Sequence, residues 1–252
     1  MPLRNKTNLV YAIAFISVIP TTAIADWGYI NVRTEYLQTQ RVNYDRLMLG
    51  YGWNNGINIH TELMWKHKDH KEAHKNNNGA TTRPTNRDRW GDFVDNGHGL
   101  ILNYNYTNAD LPGWTLIPTF AVYTSSYWTT YEPGLEAHYK FNSEWRLRSR
   151  FRVDFDKPTS TNTSPSQKTY RPEIWVDYGP QNSPWSFTYN FIYYDTEVVR
   201  WNGKKYDYAQ DFAVKYKIGN WQPALQIADV KGPDKFSDNR QIRWRAGLTY
   251  SF

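Results

Sequence analysis

Four arginines stand at alternate positions, Arg146, Arg148, Arg150 and Arg152, within the stretch Trp145 to Phe155. Between them lie Trp145, Leu147, Ser149, Phe151, Val153 and Phe155, a mostly apolar set. A guanidinium stays charged at any physiological pH, and its planar fork of donors matches a carboxylate. Such a row has the chemistry for holding or passing anions. Bond-making chemistry has no comparable signature: a serine elbow, an H-E-x-x-H pair and a phosphate-binding loop are all missing from the chain. No catalytic residue, cofactor or metal is therefore expected.

The spacing dictates the element. On a helix, residues two apart point about 200° apart, which would scatter both sets around the cylinder. On a strand they separate onto opposite faces. One face is then basic and the other apolar, and the rest of the chain decides what each face meets.

Arg4 and Lys6 precede an apolar run from Leu9 to Ile19, followed by Pro20 and Ala23-Ile24-Ala25. This predicts a cleaved export signal over residues 1–25 and a single domain over 26–252. The run is too short to cross a membrane as a helix. Cysteine is absent, so a disulfide scaffold and a thiol nucleophile are excluded. The formal net charge is only +6, so where the charges sit matters more than their sum. Mean hydropathy is low, −0.77, yet 17% of residues are aromatic, including 20 Tyr and 12 Trp. A transmembrane β-barrel reconciles the two, with Tyr and Trp girdles outside and a polar lumen inside.

Dyad alternation recurs along the chain. Ile30, Val32, Thr34 and Tyr36 alternate with Asn31, Arg33 and Glu35, and a second run from Val42 to Trp53 reaches the turn Asn54-Asn55-Gly56. Further runs follow, the last being Ile242, Trp244, Ala246, Leu248, Tyr250 and Phe252 against Arg243, Arg245, Gly247, Thr249 and Ser251. Twelve strands are predicted, an even number, with short turns near Asn54, Ala109, Asn142, Gln181 and Gly219. Longer connections fall at His67–Asn96, Asp156–Lys168, Asp195–Tyr206 and Val230–Asp238. This is the arrangement of an outer-membrane barrel. Pro118, Pro133, Pro172 and Pro223 sit inside runs, where proline donates no ladder bond, and leave those registers open. The alternative is a soluble β-sandwich that happens to end in Phe.

In a barrel the basic face looks into the lumen. Chain direction puts Arg33 near mid-height, with Arg243 and Arg245 beside it on the last strand and Arg171 beside the seventh. The seventh and twelfth strands lie nearly opposite in a ring of twelve, so two arginine tracks face each other. Inward acids (Glu35, Glu62, Glu132, Glu136, Glu173 and Asp177) offer the competing role of bracing the wall through ion pairs.

The export signal, the twelve-run pattern, the R-x-R-x-R-x-R-x-D strand from Arg146 to Asp154 and the ending R-W-R-A-G-L-T-Y-S-F together resemble the oligogalacturonate-specific porin (KdgM-like) family, which includes the NanC-type sialic-acid channel. The resemblance spans the chain after the signal. It implies a small monomeric twelve-stranded channel of the Gram-negative outer membrane that passes acidic oligosaccharides. It also implies that Arg33, Arg146, Arg148, Arg150, Arg152, Arg171, Arg243 and Arg245 supply two basic tracks. The implied partners are oligogalacturonate or sialic acid, membrane lipids and the barrel assembly machinery that reads a terminal aromatic such as Phe252. The His67–Asn96 stretch, rich in His, Lys, Asn and Arg, departs from the family pattern and could fold over the mouth.

Two weaker signals compete. His67, His70 and His74 have a metal-like spacing, but Lys66, Lys68, Lys71 and Lys75 oppose a cation, and a solvated loop is expected. Asp92 or Asp95 with His98 would suit a hydrolase (phospholipase or protease) at the barrel rim. Nucleic-acid binding does not fit a basic surface enclosed by a barrel.

Overall fold

The computed structural model describes residues 27–68 and 94–252, with two further short strands, His74–Lys75 and Thr81–Thr82. The expected signal, residues 1–25, lies outside the described residues, as do His70, Asp92 and most of the 67–96 connection.

Twelve strands close one antiparallel barrel: β1 (Trp27–Leu37), β2 (Val42–Gly52), β3 (Ile57–Lys68), β4 (Val94–Tyr104), β5 (Trp114–Thr124), β6 (Trp128–Lys140), β7 (Trp145–Pro158), β8 (Gln167–Tyr178), β9 (Trp185–Thr196), β10 (Tyr206–Tyr216), β11 (Trp221–Lys231) and β12 (Arg240–Ser251). Each strand pairs with its chain neighbours, and β1 returns to β12, so no edge is left unpaired. Gly28 and Phe252 exchange both backbone hydrogen bonds at 2.9 Å where the ring shuts. The two-residue ladder of 74–75 with 81–82 stands apart, in the β3–β4 connection.

The barrel is inside-out relative to a soluble domain. Leu225, Phe151 and Trp244 face outward at 68%, 53% and 52% exposure, whereas Asp211 and Asp207 point inward at 3% and 2%. The outward rows match those read from the alternation. Only hydrocarbon makes such an exterior favourable.

At the end of the barrel that carries Trp27 and Phe252, four directly opposed cross-strand pairs build an aromatic level. Their ring centroids are 4.9 Å apart for Trp114–Tyr139, 4.5 Å for Trp145–Tyr178, 4.6 Å for Trp185–Tyr216 and 4.7 Å for Trp221–Tyr250. Each pair couples neighbouring strands and presents an indole or phenol to an interface.

The four prolines share one solution. The β6–β7 register runs from Tyr131↔Phe155 to Gly134↔Arg152 and skips Pro133, and the β8–β9 register skips Pro172 between Tyr170↔Asp195 and Glu173↔Ile192. Pro118 and Pro223 lie just past the last pairs of the β4–β5 and β10–β11 ladders. In every case the other ladder continues through the proline, opposite Phe120, Phe151, Leu135 and Leu248 respectively for Pro133, Pro172, Pro118 and Pro223. The missing N–H thus falls where no bond is made, and register is kept.

One bulge interrupts β3–β4 between Met64 and Trp65, opposite Gly97. Gly97 has φ 116°, and a Cβ there would come within 2.6 Å of the Thr124 carbonyl oxygen. Gly97→Ala is therefore expected to cost about 1–3 kcal/mol through strain at the bulge. The check is an earlier urea-unfolding midpoint for protein refolded into lipid vesicles. Gly203→Ala, with nothing within 4 Å of the added methyl, serves as the milder control.

Candidate functional site in the barrel lumen

The inward rows of β6, β7 and β8 form one charged wall. Their register sets Arg150 between Glu136 and Glu173, Arg148 between His138 and Trp175, Arg146 between Lys140 and Asp177, and Arg152 between Gly134 and Arg171. Acids therefore interleave with the arginine row. Asp177 accepts from Arg146 at 3.0 Å and from Arg148 at 2.7 Å. Glu173 accepts from Arg150 and lies beside Arg171 Nε, each at 2.7 Å, with its own side chain only 2% exposed. Arg152 meets Glu132 at 2.6 Å and Asp154 at 2.7 Å. Repulsion between four aligned guanidiniums is thus offset locally, and the wall-bracing role of the acids is real for this strand.

A second group comes from β1, β2, β3, β10 and β12. Arg245 binds Glu35, Arg243 reaches Asp211 at 2.6 Å, and Arg46 reaches Glu62 at 2.8 Å. Arg33 differs. It stands opposite Arg46 on one side and Gly247 on the other, and has no hydrogen-bond or ion-pair partner among the described residues. Its side chain lies over Gly247, with Cβ and Cγ 3.9 and 3.8 Å from where a Cβ would be, so no neighbouring side chain competes for that space.

Seven of the eight expected arginines line a single cavity of about 830 Å³. Arg146 lies nearer the end that carries the termini, its side chain 47% exposed. Nine cationic side chains line this cavity against five carboxylates. The cavity surface is thus richer in cations than in carboxylates, while Glu35, Glu136, Asp154 and Asp177 pair with the same arginines from beside it.

Toward the end that carries the termini, the β1–β4 wall is neutral. The Tyr29 hydroxyl and Asn103 amide hold the two ring nitrogens of His60 at 2.9 and 3.1 Å, and Asn58 donates to Asn103 at 2.8 Å. Tyr29 and Trp27 fit only because β2 has Gly50 and Gly52 beneath them: added Cβ atoms would fall 2.1 and 2.2 Å from the two rings.

The competing signals end elsewhere. His98 lies on the outer wall opposite Leu63 and Thr124, while Asp95 accepts from the Gly97 N–H. His67 belongs to β3 rather than to a loop. It faces outward and binds Asp45 at 3.0 Å.

A closed twelve-stranded barrel with a cationic lumen invites comparison with known channels. The family model for the oligogalacturonate-specific porin protein (KdgM) matches residues 20–252. The chain belongs to the KdgM porin family. It is 26% identical over 225 residues to YiiY of Salmonella typhimurium, covering 89% of this chain and 90% of that one. It is 23% identical over 253 residues to the oligogalacturonate-specific porin KdgM of Dickeya dadantii, covering 95% and 97%. Among solved structures, the NanC porin superposes with a TM-score of 0.68 at 16% identity over 88% of this chain and 98% of that one. The KdgM porin does so with 0.62 at 20% identity over 89% and 99%. Membership and fold together make this an outer-membrane porin.

Within this KdgM-family porin, sequence reading passed over Arg46, Lys215 and Trp175, all of which line the cavity. Arg46 was obscured because the inward row of β2 is Val42, Tyr44, Arg46, Met48, Gly50 and Gly52, while its outward row carries Asn43 and Asp45. Polarity there does not mark the face. Trp175 was hidden because an indole on a strand reads as lipid-facing until parity is followed from Arg171 and Glu173.

Proposed function

We propose that this porin is a monomeric, anion-preferring channel for passive diffusion of acidic oligosaccharides such as oligogalacturonates, guided by arginines on two sides of the lumen. Arg148, Arg150, Arg152 and Arg171 form one side, with Arg146 at its end, and Arg33, Arg243 and Arg245 form the other. The observation that carries this reading is the cavity lined by nine cationic side chains against five carboxylates. The relative in Dickeya is named as an oligogalacturonate-specific porin, and a KdgM porin has been solved in complex with disordered oligogalacturonate. Both support the choice of cargo, with sialic acid as the other acidic sugar to test.

Paired arginines suit conduction. A guanidinium already tied to a wall carboxylate holds a passing one weakly, and a row of weak sites lets the cargo step and leave. The end bearing Trp27 and Phe252, where the connections are short, is assigned to the periplasm of a Gram-negative cell, and the long connections to the outside. Lipids contact the outer rows, and the barrel assembly machinery is the expected folding partner.

Reconstituted channels under a salt gradient are expected to show a zero-current potential of anion sign. The preference should shrink as salt rises, because charges in a water-filled pore are screened over about 10 Å at 0.1 M and about 3 Å at 1 M. In liposome swelling, galacturonate oligomers should enter faster than neutral oligomers of equal length. Equal rates, or a cation-sign potential in the parent, would reject the reading.

A further inference from the structure

We propose that Trp175 is a stacking platform for one pyranose ring of an acidic sugar chain, placed beside the guanidiniums that take that ring's carboxylate. This rests on the channel reading above and adds to it the element that tells a sugar chain from a small anion.

Trp175 is inward-facing on β8, between Glu173 and Asp177, and it lines both the central cavity and the adjoining one toward the termini. The Arg148 and Arg150 guanidinium carbons stand 4.8 and 5.1 Å from its ring centroid. Both arginines are anchored in turn, Arg148 by Asp177 and Arg150 by Glu173, each at 2.7 Å, so the indole is held by fixed groups. Its cross-strand partners are Arg148 and Asn190, both polar.

The neighbours that hold this indole are charged or polar, not an apolar core. Other inward rings fill gaps over glycines: Trp27 over Gly52, Tyr29 over Gly50 and Tyr123 over Gly99. Trp175 is among the nearest contacts of none of the described glycines. Trp175 is half-buried, with two guanidiniums over its ring, and its remaining apolar edge and face border the charged lumen. A pyranose has the complementary shape, with a face of C–H groups and a rim of hydroxyls and carboxylate. Stacked on Trp175, a uronate would turn its carboxylate toward Arg148 or Arg150 and a hydroxyl toward the Asn190 amide. Chloride has no such face and would pass the indole without using it.

The test uses the refolded full barrel in planar bilayers, with two readouts on the same channels: zero-current potential in a KCl gradient, and block of the open current by a galacturonate oligomer. Trp175→Leu is expected to raise the half-blocking oligomer concentration about tenfold, the scale of one aromatic contact, while leaving the potential unchanged. Trp175→Phe, which keeps a smaller ring and can be read even where the leucine variant does not refold, should fall between. Unchanged block in both variants overturns the platform alone. If block and anion preference fall together, Trp175 only positions its arginines, and the proposal also fails. A parent channel without anion preference would instead overturn the channel reading and the platform with it.

Discussion

Channels carrying Arg148→Ser and Arg150→Ser together are expected to lose most of their anion preference. The reason lies in what the two arginines leave behind. Asp177 loses its pair of hydrogen bonds from Arg148, at 2.7 and 3.1 Å, and Glu173 loses that from Arg150 at 2.7 Å. Glu136 loses both guanidiniums, 3.8 and 3.9 Å away. Three carboxylates then face the lumen with fewer cations beside them, chiefly Arg146, Arg171 and His138. The outward Leu147, Ser149 and Phe151 are untouched, so the barrel should still insert. Lysine at both positions should keep the sign of the potential but weaken oligomer block, because an ammonium lacks the bidentate fork. Arg33→Ser makes the informative contrast. It strands no carboxylate, so it should lower the anion preference with no change in unfolding midpoint. A double serine variant whose potential matches the parent would mean that these arginines only brace the wall.

Glu173→Gln should produce the largest loss of stability among conservative changes in the lumen, on the order of 3 kcal/mol. One buried carboxylate serves two guanidiniums, Arg150 Nη2 and Arg171 Nε, each 2.7 Å away. The amide keeps the shape, so no cavity forms, but two positive groups lose their counter-charge. The measurement is the temperature at which the folded, fast-migrating band disappears on a gel without boiling. It should fall, while the zero-current potential of surviving channels moves further toward anions. A stable Gln variant with an unchanged potential would show that water in the lumen, not Glu173, balances these arginines.

Much of the architecture is legible in the chain because strand geometry is local. Side chains alternate with period two, and a barrel in lipid demands apolar residues on one parity and polar residues on the other. Parity alone therefore assigns Phe151 and Trp244 outward and Arg148 and Arg245 inward. Up-and-down pairing likewise sends every second connection, including the longest, to the same end of the barrel. The family resemblance adds the expectation of an acidic sugar as cargo, which no periodicity carries.

Which charge answers which is decided across strands. Arg150 meets Glu136 and Glu173, and Arg33 meets Arg46 and Gly247, only through registers that depend on the sum of turn lengths and on the bulge at Met64 and Trp65. A shift of one dyad would give every arginine different partners, with the same residues on the same faces. The prolines make the same point from the backbone. Composition flags them as defects, but whether a missing N–H costs a bond depends on which of two ladders it faces. Inward parity places a residue in the lumen. Pairing register determines that Trp175 lies beside two guanidiniums and that Gly50 leaves room for Tyr29, and closure of the ring sets Arg33 against Gly247, where alone among the expected arginines it has no partner among the described residues.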